Sequence, residues 1–264
     1  MTHKVTLTEL DMMKKDGRKI ACLTAYDAGF SRILDEAGVD AILVGDSLGM
    51  VLQGSTTTLG VTLADMIYHT RMVREACRRA MIITDMPFMT YATPARALGN
   101  AARLVSEGGA EIVKLEGGAV MADTVNYLHA QGIAVCAHLG LTPQSIHKLG
   151  GYHLQGREQV EADRILNDAK ILAAAGASLL VLECVPPGLA RDITRQLTIP
   201  VIGIGAGADC DGQVLVLYDI LGITERQPRF SQNFLQSATS IQAAVRNYVT
   251  AVKAGAFPAQ GRHF

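Results

Sequence analysis

Six apolar runs, one after another along the chain, finish on groups able to do chemistry. They are LTAYD at Asp27, LVGDS at Asp46 and Ser47, IITDMP at Asp85, IVKLEGG with Lys114 and Glu116, VCAHLG at His138 and LVLECVP at Glu183. Asp46, Asp85 and Glu116 close three consecutive runs. Three carboxylates without a Cys/His cluster suit a hard cation, Mg²⁺ before Zn²⁺. An aspartate after a strand can merely cap the next turn; that accounts for one such residue, and poorly for three in succession. Lys114 and Glu116 stand two apart on one apolar run, so both point to the same side of a strand. An inward ammonium needs a partner. Glu116 offers one, and a substrate carboxylate or enolate offers another. Glu183, between Leu182 and Cys184, suits a general base in a partly desolvated position. His138 can orient a substrate or bind metal, although a lone histidine on a strand also serves as a hydrogen-bonded core group. His69, on a helix, reads as structural.

The elements that must position these groups follow from the same pattern. Apolar run, polar tip, glycine or proline, then an amphipathic stretch is the rhythm of a parallel (β/α)8 TIM barrel, in which the loops after the strands gather on one face. Eight strands are expected. They are IACLTAY, AILVGD, MIITDMP, EIVKLEGG, AVCAHLGL, LLVLECVP, PVIGIGAG and, as the last candidate, VLVLYDILG. Helices are expected over AGFSRILDEAG, 63–78, from Thr93-Pro94 onward, 121–131, 158–175, 188–196 and about 231–254, with a short polar helix within 1–19 and a Gly/Pro-bearing coil at the C-terminus. Near-continuous Val, Ile and Leu runs suit parallel strands buried on both faces. Two long connections, SLGMVLQGSTTTLGVTL and TPQSIHKLGGYHLQGREQ, are expected to be functional loops. An open doubly wound sheet shares the alternation, but it focuses ligands at one switch point. Chemistry at most strand ends favours closure.

The 264 residues suffice for a single barrel domain, and no linker or low-complexity tract divides them. With 24 basic and 25 acidic side chains, the net charge of -1 gives no electrostatic reason to expect nucleic acid or an anionic membrane. No apolar run approaches the ~20 residues needed to span a bilayer, and the N-terminus does not read as a signal peptide. The five cysteines form no C-x-x-C pair and read as small buried hydrophobes. A reducing cytoplasm is the expected location. GIGAG at 203–207 resembles a phosphate-binding loop, but no Lys or Ser/Thr pattern accompanies it, and close backbone packing explains it equally well.

The strings TAYD, LVGDSLGM, DMPFMTY, VKLEGG, HLGLTPQ, LGGYHLQGR, VLECVP and IGIGAG occur in the order found in the ketopantoate hydroxymethyltransferases, which the chain resembles from Leu23 to Pro258. The resemblance implies a Mg²⁺-dependent barrel enzyme of pantothenate biosynthesis. It would transfer a one-carbon unit from 5,10-methylenetetrahydrofolate to 3-methyl-2-oxobutanoate. By the same resemblance, Asp46 and Asp85 bind metal with Glu116 completing the shell. Asp46, Ser47, Asp85 and Lys114 contact the oxo acid, and Glu183 accepts the proton; His138, from its own position on the strand, is expected to be a further substrate contact. Assembly as a homo-oligomer, commonly a decamer, is also implied. Two positions depart from the family pattern: Gly60 replaces a proline in TLGVTL, and Tyr218 stands in place of a histidine. The nearest alternative is a Mg²⁺-dependent lyase or mutase of the isocitrate lyase and phosphoenolpyruvate mutase type, but its K-K-C-G-H-type loop is absent. A metal-free, phosphate-binding barrel would leave three carboxylates crowded without a counter-charge. A purely structural protein would explain none of the polar strand ends.

Overall fold

Eight short strands close on themselves in sequence order, each parallel to its neighbours, in a computed structural model that describes residues 3–259. They are β1 (Ile20–Thr24), β2 (Ala41–Val44), β3 (Met81–Asp85), β4 (Ile112–Glu116), β5 (Val135–Gly140), β6 (Leu179–Glu183), β7 (Val201–Ile204) and β8 (Gly212–Leu215). The ring is sealed where β1 pairs with β8, Ile20 opposite Gly212 and Leu23 opposite Leu215. This is the expected (β/α)8 barrel. The parts of the expected terminal segments at 1–2 and 260–264 lie outside the described residues.

Alternation along each strand sorts the apolar residues into two layers. Ile20, Cys22, Ala41, Leu43, Met81, Ile83, Ile112, Cys136, Leu179, Val181, Ile202 and Val214 fill the barrel interior. Their neighbours, such as Ala21, Leu23, Ile42, Ile82, Val113, Ala137 and Leu180, pack outward against the helices. The N-terminal helix Leu7–Lys15 joins the inner layer through Leu10 and Met13, together with Val5 just before it, and so closes one end of the barrel. The interior is a packed core, and the other end is left for polar groups.

Helix starts follow local capping chemistry. Thr62 and Asp65 form a reciprocal capping box at the start of Leu63–Ala76. Thr93 caps Pro94–Arg103, with proline in the first turn as expected. Asp27, one of the six polar tips, caps Ala28–Glu36 by accepting from Phe30 N at 2.9 Å, so its role is structural.

Two expectations are corrected. The last strand covers Gly212–Leu215, and the rest of the apolar run VLVLYDILG turns into the helix Leu217–Ile220, because a short apolar run carries no period that separates a strand from a buried helix. The C-terminal helix spans only Ile241–Lys253, starting at the Ser240 cap. The two long connections also carry short helices: the first holds a helical turn at Leu48–Val51, and the second holds turns at Pro143–Ser145 and Ile146–Leu149.

Candidate active site

The inward side of the strands carries the site. On β3, Asp85 follows Ile83 at the same parity. On β4, Lys114 and Glu116 follow Ile112; on β5, His138 follows Cys136; on β6, Glu183 follows Val181. Residues two apart on a strand share a face, so the inner apolar layer is continued at the open end by a layer of ionisable groups. Register sets neighbours across strands: Asp85 lies opposite Lys114, and Glu116 opposite His138. Asp46 and Ser47 join from the turn after β2. Five of these side chains are buried (Asp46, Asp85, Lys114, Glu116 and His138), whereas Glu183 keeps 15 % of its side chain exposed.

Lys114 is the hub. Its Nζ lies 2.9 Å from Asp85 Oδ1 and 3.1 Å from His138 Nδ1. Glu116, two residues along the same strand, is not its nearest carboxylate, because side chains facing each other across strands stand closer than i and i+2 neighbours. Burial opposes the lysine's charge, but Asp85, Glu116 and Asp46 outweigh it and push the ammonium pKa well up. An ammonium can only donate, so His138 Nδ1 accepts and the ring proton sits on Nε2. Nε2 faces Glu183 Oε2 at 3.2 Å. Burial and the adjacent Lys114 push the imidazole pKa down, which keeps it neutral. A chain of ammonium, neutral imidazole and carboxylate therefore runs across β4, β5 and β6.

The backbone under Glu183 is tightly pinned. Its carbonyl accepts from Leu141 N at 2.8 Å, Cys184 N donates to Ile204 O at 2.8 Å, and Cys184 O accepts from Gln155 N at 2.8 Å. Cys184 itself adopts φ +48°, a strained conformation for a residue with a side chain, held by those three bonds. Gly140, opposite Glu183, leaves no space for a Cβ, which would meet the Glu183 carbonyl oxygen at 2.1 Å.

The remaining carboxylates are linked by a residue that sequence reading assigned no role. Gln144, in the turn after β5, donates from Nε2 to Asp46 Oδ2 at 2.8 Å and to Met86 O at 2.9 Å. Its backbone N donates to Glu116 Oε2 at 3.0 Å, and its Oε1 accepts from Tyr91 OH. The available signal was TPQ directly after an apolar strand, a polar residue in a proline-initiated turn at the mouth. Asp85 Oδ2 accepts from Asp46 N at 3.0 Å. Ser47 Oγ pairs with Tyr26 OH at 2.8 Å, and Tyr218 packs edge-on against that tyrosine. The Tyr218 departure thus lies one contact from the site, while Gly60 has open space around it. His69 holds Tyr26 O at 2.7 Å, a structural role as expected. The glycines of GIGAG are explained by packing: a Cβ at Gly203 would press on Cys210, and one at Gly207 on Pro187.

The donor set suits a hard divalent cation. Three buried carboxylates face a single ammonium, a deficit of positive charge. Glu116 Oε1 has no hydrogen-bond donor, and Asp85 Oδ1 has only its ion-pair contact with Lys114. Burial, then the charges of Asp85 and Glu116, push the Asp46 pKa well up. Burial and Asp85 push Glu116 to about 7 against the pull of Lys114. No three His, Cys, Asp or Glu side chains among the described residues already converge to hold an ion. It is the oxygens of Glu116 and Asp85 without a hydrogen-bond partner that suit Mg²⁺, which takes one or two carboxylates and keeps several waters. Asp46 and Asp85 are the pair joined by backbone contact, with Glu116 one step behind through Gln144.

Residues 4–260 match the family model for ketopantoate hydroxymethyltransferase. The chain belongs to that family. The 3-methyl-2-oxobutanoate hydroxymethyltransferase of Alkalilimnicola ehrlichii is 59 % identical over 261 residues, covering 98 % of this chain and 94 % of that one. The protein of the same name from Thiobacillus denitrificans is 58 % identical over 261 residues, covering 98 % and 99 %. Among solved structures, the phosphoenolpyruvate phosphomutase of Streptomyces platensis aligns over 94 % of this chain and 88 % of its own, with a TM-score of 0.63 at 15 % identity. A 2,3-dimethylmalate lyase of the PEP mutase/isocitrate lyase superfamily aligns over 82 % of each chain, with a TM-score of 0.58 at 18 % identity. At such identities the likeness is of fold, and a shared barrel hosts many chemistries.

Proposed function

We propose that this family member transfers a hydroxymethyl group from 5,10-methylenetetrahydrofolate to 3-methyl-2-oxobutanoate, giving 2-dehydropantoate and tetrahydrofolate, with water supplying the hydroxyl oxygen. The observation that carries the reading is His138 set between Lys114 and Glu183. Its Nε2 faces one oxygen of Glu183 at 3.2 Å and leaves the other to accept the C3 proton of the oxo acid. Lys114, kept charged by its carboxylate neighbours, stands where negative charge develops on the substrate oxygens. The hydroxyl of Ser47, oriented by Tyr26, offers a further donor for the oxo acid. Asp46 and Asp85 would hold Mg²⁺, with Glu116 behind them. When bound, the ion supplies Lewis-acid polarisation of the keto and carboxylate oxygens.

A homo-oligomer, the decamer implied by the family, and a cytoplasmic location belong to the same proposal. The five buried, unpaired cysteines are consistent with a reducing compartment. No helix among the described residues is long and apolar enough to cross a membrane.

The test is proton NMR of 3-methyl-2-oxobutanoate in D₂O with enzyme and Mg²⁺, first without folate. Metal-dependent loss of the C3 proton signal is expected, then a hydroxymethyl resonance once methylenetetrahydrofolate is added. Glu183→Gln should slow C3 exchange by about 10²–10⁴-fold while still binding oxo acid and metal. Exchange at the wild-type rate in that variant removes Glu183 from the role.

A further inference from the structure

A cavity of about 540 Å³ opens beside the layer of ionisable groups and reaches it at Glu116, Gln144 and Gly140. Its walls are the turns after β3, β4 and β5 and the helix Gln159–Ala174. That volume lies within the ~300–1,000 Å³ usual for pockets that hold small molecules and cofactors. Neither the carboxylates nor Lys114 needs so large a neighbour for a five-carbon oxo acid.

The lining is divided by chemistry. Phe88, Met89 and Val120 stand 44 %, 51 % and 81 % exposed around it, apolar groups that the fold leaves uncovered beside the mouth. Asp168 points in from the helix. Its Oδ1 accepts from Ala119 N at 3.1 Å, and no described protein donor reaches Oδ2. Gly118, the last residue of KLEGG, makes this approach possible, since a Cβ there would meet Asp168 Oδ2 at 2.1 Å. Lys148, exposed at the rim, has no carboxylate partner among the described residues.

We propose that this cavity seats the reduced folate, with the Asp168 carboxylate accepting from the 2-amino and N3–H edge of the pterin, the apolar wall of Phe88, Met89 and Val120 taking the ring faces, and Lys148 meeting the glutamyl carboxylate. The assignment rests on the folate-dependent reading above. It follows from complementarity. A pterin presents two adjacent N–H donors that suit one carboxylate, its rings suit an apolar wall, and its tail carries negative charge. The inner end at Gly140 adjoins Glu183, where the one-carbon unit must be delivered.

The chain contains no tryptophan, so Val120→Trp places a single reporter at the cavity rim. Tetrahydrofolate should quench its fluorescence saturably. Asp168→Asn should raise the KM for methylenetetrahydrofolate about tenfold or more, the size expected for weakening bonds to a charged acceptor. Lys148→Ala should raise it about threefold. Both variants should leave the KM for the oxo acid and folate-free C3 exchange unchanged, which a merely structural role for Asp168 would not. Unchanged folate KM in both variants, with wild-type transfer intact, overturns the pocket and spares the reaction. Absence of C3 exchange in the wild type overturns the reaction itself and the pocket with it. Should Asp168→Asn fail to fold, the Val120→Trp reporter decides, and a flat titration overturns the assignment.

Discussion

At the closed end of the barrel, Asp40 is as buried as any group at the mouth, yet each of its oxygens is matched. Arg79 donates to Oδ1 at 2.9 Å, while Ala21 N and Lys253 both meet Oδ2. Glu111 pairs with Lys4 at 2.7 Å and accepts from Ile82 N, and Asp211 pairs with Lys14 at 2.6 Å and accepts from Val201 N. At the open end, Asp46, Asp85 and Glu116 share one ammonium, and Glu116 Oε1 has no donor at all. The same residue types appear at both ends. Where every charge is met by the chain itself, the groups hold the fold. Where the chain leaves a deficit, they are arranged for something that arrives from outside.

That contrast breaks most visibly at Lys114. Lys114→Met keeps the volume but removes the only cation among three carboxylates, and we expect folate-free C3 exchange to fall by about 10²–10³-fold, with far-UV circular dichroism unchanged. Retained exchange would mean that the mouth does not depend on this charge. Asp40→Ala is the mirror test. It strips Arg79 and Lys253 of their shared partner, and because both are partly exposed, the loss is expected nearer about 2 kcal/mol than the full cost of breaking a buried pair. Urea titration should register it while kcat stays constant; a fallen kcat would deny the separation of the two ends.

The smallest effect is a matter of pH. Glu116 is raised from 4.5 to about 7 on folding, so the metal-free fold binds its proton between those values and loses stability as pH rises through 7. His138, lowered from 6.5, acts in the opposite sense: its contribution is lost as pH falls below that value. Asp46, pushed up by burial and its carboxylate neighbours, acts in the same sense as Glu116, so from about pH 6.5 to 7.5, where His138 contributes little, the loss belongs to this carboxylate pair. There, the melting temperature of EDTA-treated protein should fall with pH, Glu116→Gln should reduce the fall, and saturating Mg²⁺ should flatten it. A slope that survives both would assign the titration elsewhere.

Much of the mouth was legible because parity is a property of the strand itself. IVKLE and VCAH place Lys114, Glu116 and His138 on the inner side whatever their neighbours do. Partners were less legible. Lys114 takes Asp85 from the next strand, a pairing set by register that no local spacing contains. Gln144 was invisible for a related reason: its importance comes from where a turn lands, bridging two carboxylates from two other strands. Asp27 misled in the other direction, since the end of an apolar run is also where the next helix needs its cap.

The seam between β1 and β8 also bears on how activity is acquired in time. The groups to which catalysis is assigned in the proposal come from β3, β4, β5 and β6 and from the turn after β2, while the N-terminal helix that plugs the interior precedes β1. A partly wound sheet, still missing its last strands, already carries every one of these groups but has no closed wall to hold them inward. Contacts of such long sequence separation form late and slowly. Recovery of C3 exchange during refolding should therefore track ring closure, lagging behind the return of helical signal.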